Sequence, residues 1–136
     1  MINKYLVYTD GGARGNPGPS GIGVVIYDKD GEIVLKKSEY IGTKTNNQAE
    51  YQALILGLNE VGNLKADEVT CYLDSELVTK QMRGEYRVRN KNIAPLYQIA
   101  SKLAKKFDKI NFQHIPREEN KEADFLVNEA LDRVKE

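Results

Sequence analysis

The 136-residue sequence predicts an α/β fold in which a mixed β-sheet carries helices on both faces. Two observations indicate this. The first third of the chain combines β-branched and aromatic segments with glycine turns, a pattern typical of hairpins. The remainder alternates short apolar segments with segments whose apolar residues recur every three or four positions, as expected of strands followed by helices. We therefore predict one domain over residues 1–136, a length that suffices to bury an ordinary core.

The first three elements are predicted to be strands. Tyr5 to Thr9 forms a short aromatic and β-branched run that ends at the turn signal Asp10-Gly11-Gly12. A glycine- and proline-rich loop is expected over residues 13–20. Strands over 21–27 and 33–41 then flank Asp30-Gly31, a dipeptide that favours a hairpin turn.

The second half alternates helices and strands. Asn46 or Asn47 is predicted to cap a helix that ends near Val61, before Gly62-Asn63. Further strands are expected over 69–73 and 110–115, further helices from Asp74 to about Met82, over 93–107 and over 119–134, and a polar loop over 83–92. The predicted order is βββαβααβα, which implies a mixed sheet of five strands.

Composition excludes several classes of protein. The net charge is zero, with 20 basic and 20 acidic residues, which excludes a uniformly basic nucleic-acid binder. A single cysteine, Cys71, and a single histidine, His114, exclude a disulfide framework, a multi-cysteine zinc site and a His-pair metalloprotease. No apolar run approaches the ~20 residues of a membrane span. We expect a monomeric, cytoplasmic protein without a membrane partner.

Four acids occupy positions whose neighbours are apolar. Asp10 and Asp74 end two predicted strands, where sheets of this kind form their ligand crevice. Glu50 continues the apolar stripe of the first helix, and Asp124 flanks that of the last. Taken singly, each has an ordinary structural explanation as a turn residue, a helix cap or a surface charge.

Taken together, the four acids point to a metal site. A cluster of about four negative charges repels itself and partly protonates unless divalent cations fill it. Oxygen ligands select Mg²⁺ or Mn²⁺ over Zn²⁺. Two such ions about 3.5–4 Å apart are the usual device for attack on a phosphodiester. These residues therefore favour metal-dependent phosphoryl transfer.

The segments around these acids resemble the successive motifs of type 1 ribonuclease H. They are YTDGGARGNPG at 8–18, TNNQAE at 45–50, LDS at 73–75 and ENKEAD at 119–124. The resemblance extends over nearly the whole chain. It implies a ribonuclease H-like fold, with the first three strands antiparallel and the later ones parallel, in a compact form that lacks the basic protrusion of some relatives.

The resemblance also implies an activity, which is endonucleolytic hydrolysis of the RNA strand of RNA–DNA hybrids. The products would carry 5′-phosphate and 3′-hydroxyl ends. The implied cofactor is a pair of Mg²⁺ ions, for which Mn²⁺ substitutes. Its implied catalytic residues and metal ligands are Asp10, Glu50, Asp74 and Asp124, with Asp10 bridging the two ions.

Substrate contacts are implied in the same way. Gly11, Asn16, Asn47 and Gln48 would lie along the RNA strand, some through backbone groups that read 2′-hydroxyls. Thr45 and Asn90 resemble the family's pocket for a DNA-strand phosphate.

The distribution of basic side chains suggests which segment contacts the phosphates of the hybrid. Residues 79–109 carry nine basic side chains against two acidic ones, a local excess of +7. Within this segment Arg87, Arg89 and Lys91 are expected to contact phosphates. A second basic group, which either contacts the substrate or forms a solvated helix face, comprises Lys102, Lys105, Lys106 and Lys109.

The family's loop histidine, which helps the product to leave, has an ambiguous counterpart here. His114 precedes Asp124 by ten residues but is expected inside a strand, with a structural role. Arg117, Glu118 or Glu119 would then take part of the product-release role.

The sequence offers three rival functions. A nucleotide-binding module is disfavoured because the glycine spacing is not Gly-x-Gly-x-x-Gly. A non-catalytic hybrid-binding domain of the same fold is disfavoured because it would not need four clustered acids. A DNA-directed nuclease is the third alternative, and Gly11, Asn16 and Asn47 favour RNA recognition over it.

Overall fold

The computed structural model describes residues 2–135 and shows a five-stranded mixed sheet with helices on both faces. The strands are β1 (Lys4–Ala13), β2 (Gly18–Asp28), β3 (Ile33–Lys44), β4 (Glu68–Leu73) and β5 (Lys109–His114). The helices are α1 (Asn46–Asn63), α2 (Glu76–Met82), α3 (Ala94–Ala104) and α4 (Lys121–Lys135), and a single 3₁₀ turn spans Arg117–Glu119. The predicted fold class and element order are confirmed.

The sheet order is β3-β2-β1-β4-β5. β1 pairs with β2 and β2 with β3 in antiparallel fashion, whereas β1–β4 and β4–β5 are parallel, as the resemblance implied. The last β1–β4 pair joins Thr9 to Leu73. The next residue of each strand is therefore an aspartate, and both lie at the same edge of the sheet.

Helices cover the two faces with different packing. α1 buries Leu54, Leu58 and Val61 against Val7 and Val24 of the sheet. α4 lies on the other face, and it comes so close that a Cβ on Gly23 would collide with the Ala123 carbonyl oxygen. Among the described helices, none has the length and apolar character needed to cross a membrane.

Several predicted boundaries were wrong. Asp10-Gly11-Gly12 is not a turn but part of β1, because Gly11 and Gly12 pair with Ile22 and Gly21 of β2. The predicted loop over 13–20 shrinks accordingly, since β2 already begins at Gly18. β3 extends to Lys44 instead of ending near residue 41.

Helix starts also differ from the predictions. The cap of α1 is Thr45 and not Asn46 or Asn47, because the Thr45 side chain and the Gln48 side chain form a reciprocal capping box. α3 is shorter than predicted and ends at Ala104. α4 starts at Lys121 rather than near 119, because the preceding residues form the 3₁₀ turn.

Candidate active site

Three of the four predicted acids meet at the edge of the sheet. Asp10 lies in β1 directly after its last pair with β4, and Asp74 directly follows β4, while Glu50 reaches them from the start of α1. One carboxylate oxygen from each lies within 4.8 Å of the others. Asp10 and Glu50 are only 7% and 6% exposed. The predicted convergence is thus observed for these three side chains.

The local sequence explains why each side chain points here. The Gly11 amide lies beyond the last β1–β4 pair and donates a 2.9 Å hydrogen bond to Glu50 Oε1. A Cβ at Gly11 would collide with the Ala49 carbonyl oxygen, so only glycine lets β1 and α1 approach this closely. Ser75 caps α2 by accepting a bond from the Val78 amide at 3.2 Å, and Asp74 is therefore free to face the other acids.

Asp124 lies on another wall of the same cavity. This cavity has a volume of about 540 Å³ and is lined by all four acids. Asp124 is not part of the close group of three, and Arg117 Nη2 lies 3.5 Å from its Oδ1. The structure therefore places all four acids around one cavity, which two exposed arginines, Arg14 and Arg117, also line.

Burial and mutual repulsion raise the pKa of the clustered acids. The pKa of Asp10 is raised to about 7, chiefly by burial, with further increases from the charges of Asp74 and Asp124. Burial and the neighbouring Asp10 raise the pKa of Glu50 well above its usual range. Burial also raises the pKa of Asp74, although hydrogen bonding from Asn120 and the charge of Arg117 oppose this. The cluster therefore retains protons near neutral pH unless cations replace them.

The donor set fits a divalent cation. Glu50 Oε2 is buried and has no hydrogen-bond partner among the described residues, an arrangement that costs stability unless something positive meets it. All the candidate ligand atoms are carboxylate oxygens, which suit hard ions such as Mg²⁺ and Mn²⁺. Asp10, Glu50 and Asp74 can hold a divalent ion together, with Asp124 across the cavity.

A second cavity lies beside the first. It measures about 390 Å³ and is lined by Asn16, Thr45, Asn46, Asn47, Asn90, Asn92 and Ile93. Four predicted substrate-binding residues therefore share one polar pocket, although they come from distant parts of the chain. Gln48 does not line it, because its side-chain oxygen accepts the Thr45 amide in the capping box.

Comparisons with known proteins place the chain in a family. A family model described as "Reverse transcriptase-like" matches residues 8–130. LC11-RNase H1, solved in complex with an RNA/DNA hybrid and isolated from compost by a metagenomic approach, superposes with a TM-score of 0.91. It is 43% identical, and the match covers 97% of this chain and 99% of that one. The chain belongs to the type 1 ribonuclease H family.

Two curated relatives are longer than the part that they share with this chain. The "Bifunctional protein Rv2228c" of Mycobacterium tuberculosis is 44% identical over 130 residues, which is 95% of this chain and 36% of that protein. The "Ribonuclease HI" of Halobacterium salinarum is 42% identical over 129 residues, which is 95% of this chain and 65% of that protein. This chain therefore spans about a third to two thirds of their length.

The basic segment 83–93, between α2 and α3, contains no helix or strand, as predicted for a form without the basic protrusion. Arg87, Arg89 and Lys91 are exposed in the segment between α2 and α3. None of them forms an ion pair within residues 2–135. Their charges are free to meet a phosphate backbone. The assignment of Arg87 and Arg89 as substrate contacts stays a prediction.

Of the residues predicted for product release, Arg117 lines the acid cavity. His114 ends β5, opposite Leu73, as predicted for a strand residue. Its side chain is exposed, however, and its charge acts on Asp74. Arg117 and Glu118 are exposed in the 3₁₀ turn that follows. The product-release roles of His114, Arg117 and Glu118 stay predictions.

Sequence reasoning missed one residue of the site. Asn120 is 1% exposed, and its Nδ2 donates to Asp74 Oδ2 at 3.1 Å and to the Thr9 carbonyl at 2.9 Å. An asparagine directly before a helix is normally interpreted as its cap. Its place in the ENKEAD motif, four residues before Asp124, was the available signal.

Proposed function

We propose that this chain is an endoribonuclease that hydrolyses the RNA strand of RNA–DNA hybrids with the help of divalent ions. The observation that carries the proposal is the cluster of the buried Asp10 and Glu50 with the half-buried Asp74, which retains an unpaired carboxylate oxygen and raised pKa values. It lies at the parallel-strand edge of a ribonuclease H fold. A related protein of similar length, LC11-RNase H1, has been solved with an RNA/DNA hybrid.

The acids act as ligands in this proposal. Asp10, Glu50 and Asp74 hold one part of the metal site, and Asp124 holds the part across the cavity. We propose two Mg²⁺ ions, for which Mn²⁺ substitutes. When bound, they supply activation of water and stabilisation of the leaving oxygen. The Gly11 amide keeps Glu50 turned into the site.

Other residues position the hybrid. The polar pocket around Asn16, Thr45, Asn47 and Asn90 is formed by amides and a hydroxyl, which suit a phosphate or a sugar hydroxyl. We assign it to the substrate. The exposed Arg87 and Arg89 supply positive charge for the nucleic-acid backbone. Gly11 would approach the RNA by its backbone, although its amide already donates to Glu50.

A substrate panel tests the proposal. The protein is incubated with an RNA–DNA hybrid, an RNA duplex and a DNA duplex of one sequence, each with Mg²⁺, Mn²⁺ or a chelator. We expect cleavage of the RNA strand of the hybrid with either ion and none with the chelator. Binding without cleavage would indicate a hybrid-binding domain, and cleavage of the DNA strand would indicate a DNA-directed nuclease. We expect a monomer, which size-exclusion chromatography measures.

A further inference from the structure

Asn120 uses its side chain in an unusual way for its position. It lies immediately before α4, where an asparagine side-chain oxygen normally accepts a backbone N–H of the first helical turn. Here Oδ1 is buried without a hydrogen-bond partner among the described residues. The amide Nδ2 instead points back to the sheet, towards Thr9 and Asp74.

The contacts of Asn120 lead to three of the four acids. Its side chain donates directly to Asp74 Oδ2 at 3.1 Å. It also donates to the Thr9 carbonyl at 2.9 Å, which belongs to the residue directly before Asp10. Its own backbone carbonyl accepts the amide of Asp124 at 3.1 Å, in the first helical hydrogen bond of α4. One buried residue therefore joins the middle of β1 and the end of β4 to the start of α4.

We propose that Asn120 is a positioning residue of the metal site, which sets the orientation of Asp74 and the spacing between Asp10, Asp74 and Asp124. The bond from Nδ2 occupies one oxygen of Asp74 and thereby fixes the direction of the other. The bond to the Thr9 carbonyl fixes the position of β1 relative to the end of β4. This inference rests on the proposed function, because it takes the acids as metal ligands.

The alternative is that Asn120 only attaches α4 to the sheet. Attachment to the sheet needs only the bond to the Thr9 carbonyl, whereas the same amide also donates to Asp74, one of the clustered acids. A role in positioning accounts for this second bond. Partners that orient metal ligands typically affect metal affinity by about 10–100-fold when they are removed.

Asn120→Ser separates the two roles. A serine hydroxyl can cap α4, so the helix is kept, but it is too short to bond Asp74 and Thr9 together. The matched control is Gln81→Ala, which removes the other buried side-chain amide of the described residues. Gln81 is 7% exposed, bonds the Tyr51 hydroxyl at 2.6 Å and does not line the acid cavity.

The experiment measures Mn²⁺ binding by titration calorimetry without substrate, together with the melting temperature in chelator. We expect Asn120→Ser to bind Mn²⁺ at least ~10-fold more weakly than the parent while staying folded. Gln81→Ala should have a lower melting temperature than the parent but the same Mn²⁺ affinity. In cleavage assays, Asn120→Ser should need at least ~10-fold more Mg²⁺ for half-maximal rate, with partial recovery at saturating Mg²⁺.

A folded Asn120→Ser protein with the Mn²⁺ affinity of the parent would overturn the inference. If Asn120→Ser does not fold, Asn120→Thr is measured in its place. Its hydroxyl can also cap α4, its side chain fills more of the space, and it lacks the amide donor without adding a charge, so the same loss of affinity is expected. If the parent cleaves the hybrid and the Asn120 variant keeps the parent's Mn²⁺ affinity, the role of Asn120 is refuted and the proposed function stands. A parent that binds no Mn²⁺ would overturn both the metal site and the role of Asn120.

Discussion

Replacing Asp10 by Asn should stabilise the metal-free protein increasingly as the pH rises. Burial, together with the charges of Asp74 and Asp124, raises the pKa of Asp10 to about 7, whereas the unperturbed value is 3.8. The folded state therefore keeps a proton that the unfolded chain releases. The stability contributed by that proton is complete below pH ~4 and is lost as the pH rises towards 7.

The magnitude follows from the two pKa values. Each pH unit between them costs about 1.4 kcal/mol. From pH 5 to pH 9 only the interval up to the folded-state value of about 7 contributes, so the parent loses about 2–3 kcal/mol through this group. Asparagine carries no titrating charge, has nearly the same size and escapes this loss. Part of the repulsion on Glu50 is relieved as well.

Urea unfolding in chelator at pH 5, 7 and 9 measures the effect. The advantage of Asp10→Asn over the parent should grow by about 2–3 kcal/mol across this range. Asp30→Asn is the matched control, because Asp30 is exposed in the turn between β2 and β3, and Asn-Gly favours that turn as Asp-Gly does. A difference between Asp10→Asn and the parent that is independent of pH would refute the electrostatic account of the cluster.

Two other substitutions test the substrate loop and the β1–α1 contact. Neutralising Arg87, Arg89 and Lys91 together should weaken hybrid binding. The slope of the logarithm of the binding constant against the logarithm of the salt concentration should become shallower by up to ~2–3, because each lost phosphate contact removes about 0.9 or slightly less. An unchanged slope would mean that other residues contact the phosphates. Gly11→Ala should cost about 1–3 kcal/mol in urea unfolding, since its Cβ would collide with the α1 backbone. Gly12→Ala, whose Cβ meets only an α4 side-chain atom at 3.8 Å, should cost less, and equal losses would contradict this reading.

The order of elements was predictable because it rests on local patterns. Hairpin turns and apolar periodicity are properties of neighbouring residues, so all five strands and four helices were found. The exact ends of the strands and helices were not predictable, since they depend on tertiary packing. Gly11 and Gly12 have the composition of a turn but continue β1, where α1 and α4 approach the strand closely. Thr45 displaces Asn46 as the cap because Gln48 completes a reciprocal pair with it.

The site was predictable to the extent that its residues interrupt apolar patterns. Asp10, Glu50 and Asp74 stood out in this way, and the structure brings them together. The position of Asp124 across the cavity depends on how α4 crosses the sheet. Only its place in the ENKEAD motif marked Asn120 in the sequence, because the tertiary fold alone shows that its side chain bonds Asp74 instead of capping a helix.

Single-turnover cleavage of an RNA–DNA hybrid by the parent and by Asp10→Asn tests the central claim most directly. With Mg²⁺ and labelled RNA, the parent should cut the RNA strand and leave 5′-phosphate and 3′-hydroxyl ends. Asp10→Asn should be slower by at least ~10³, which corresponds to ~4 kcal/mol of lost transition-state stabilisation. Near-normal cleavage by Asp10→Asn, or cleavage by the parent in chelator, would contradict the assignment of the acid cluster as the catalytic metal site.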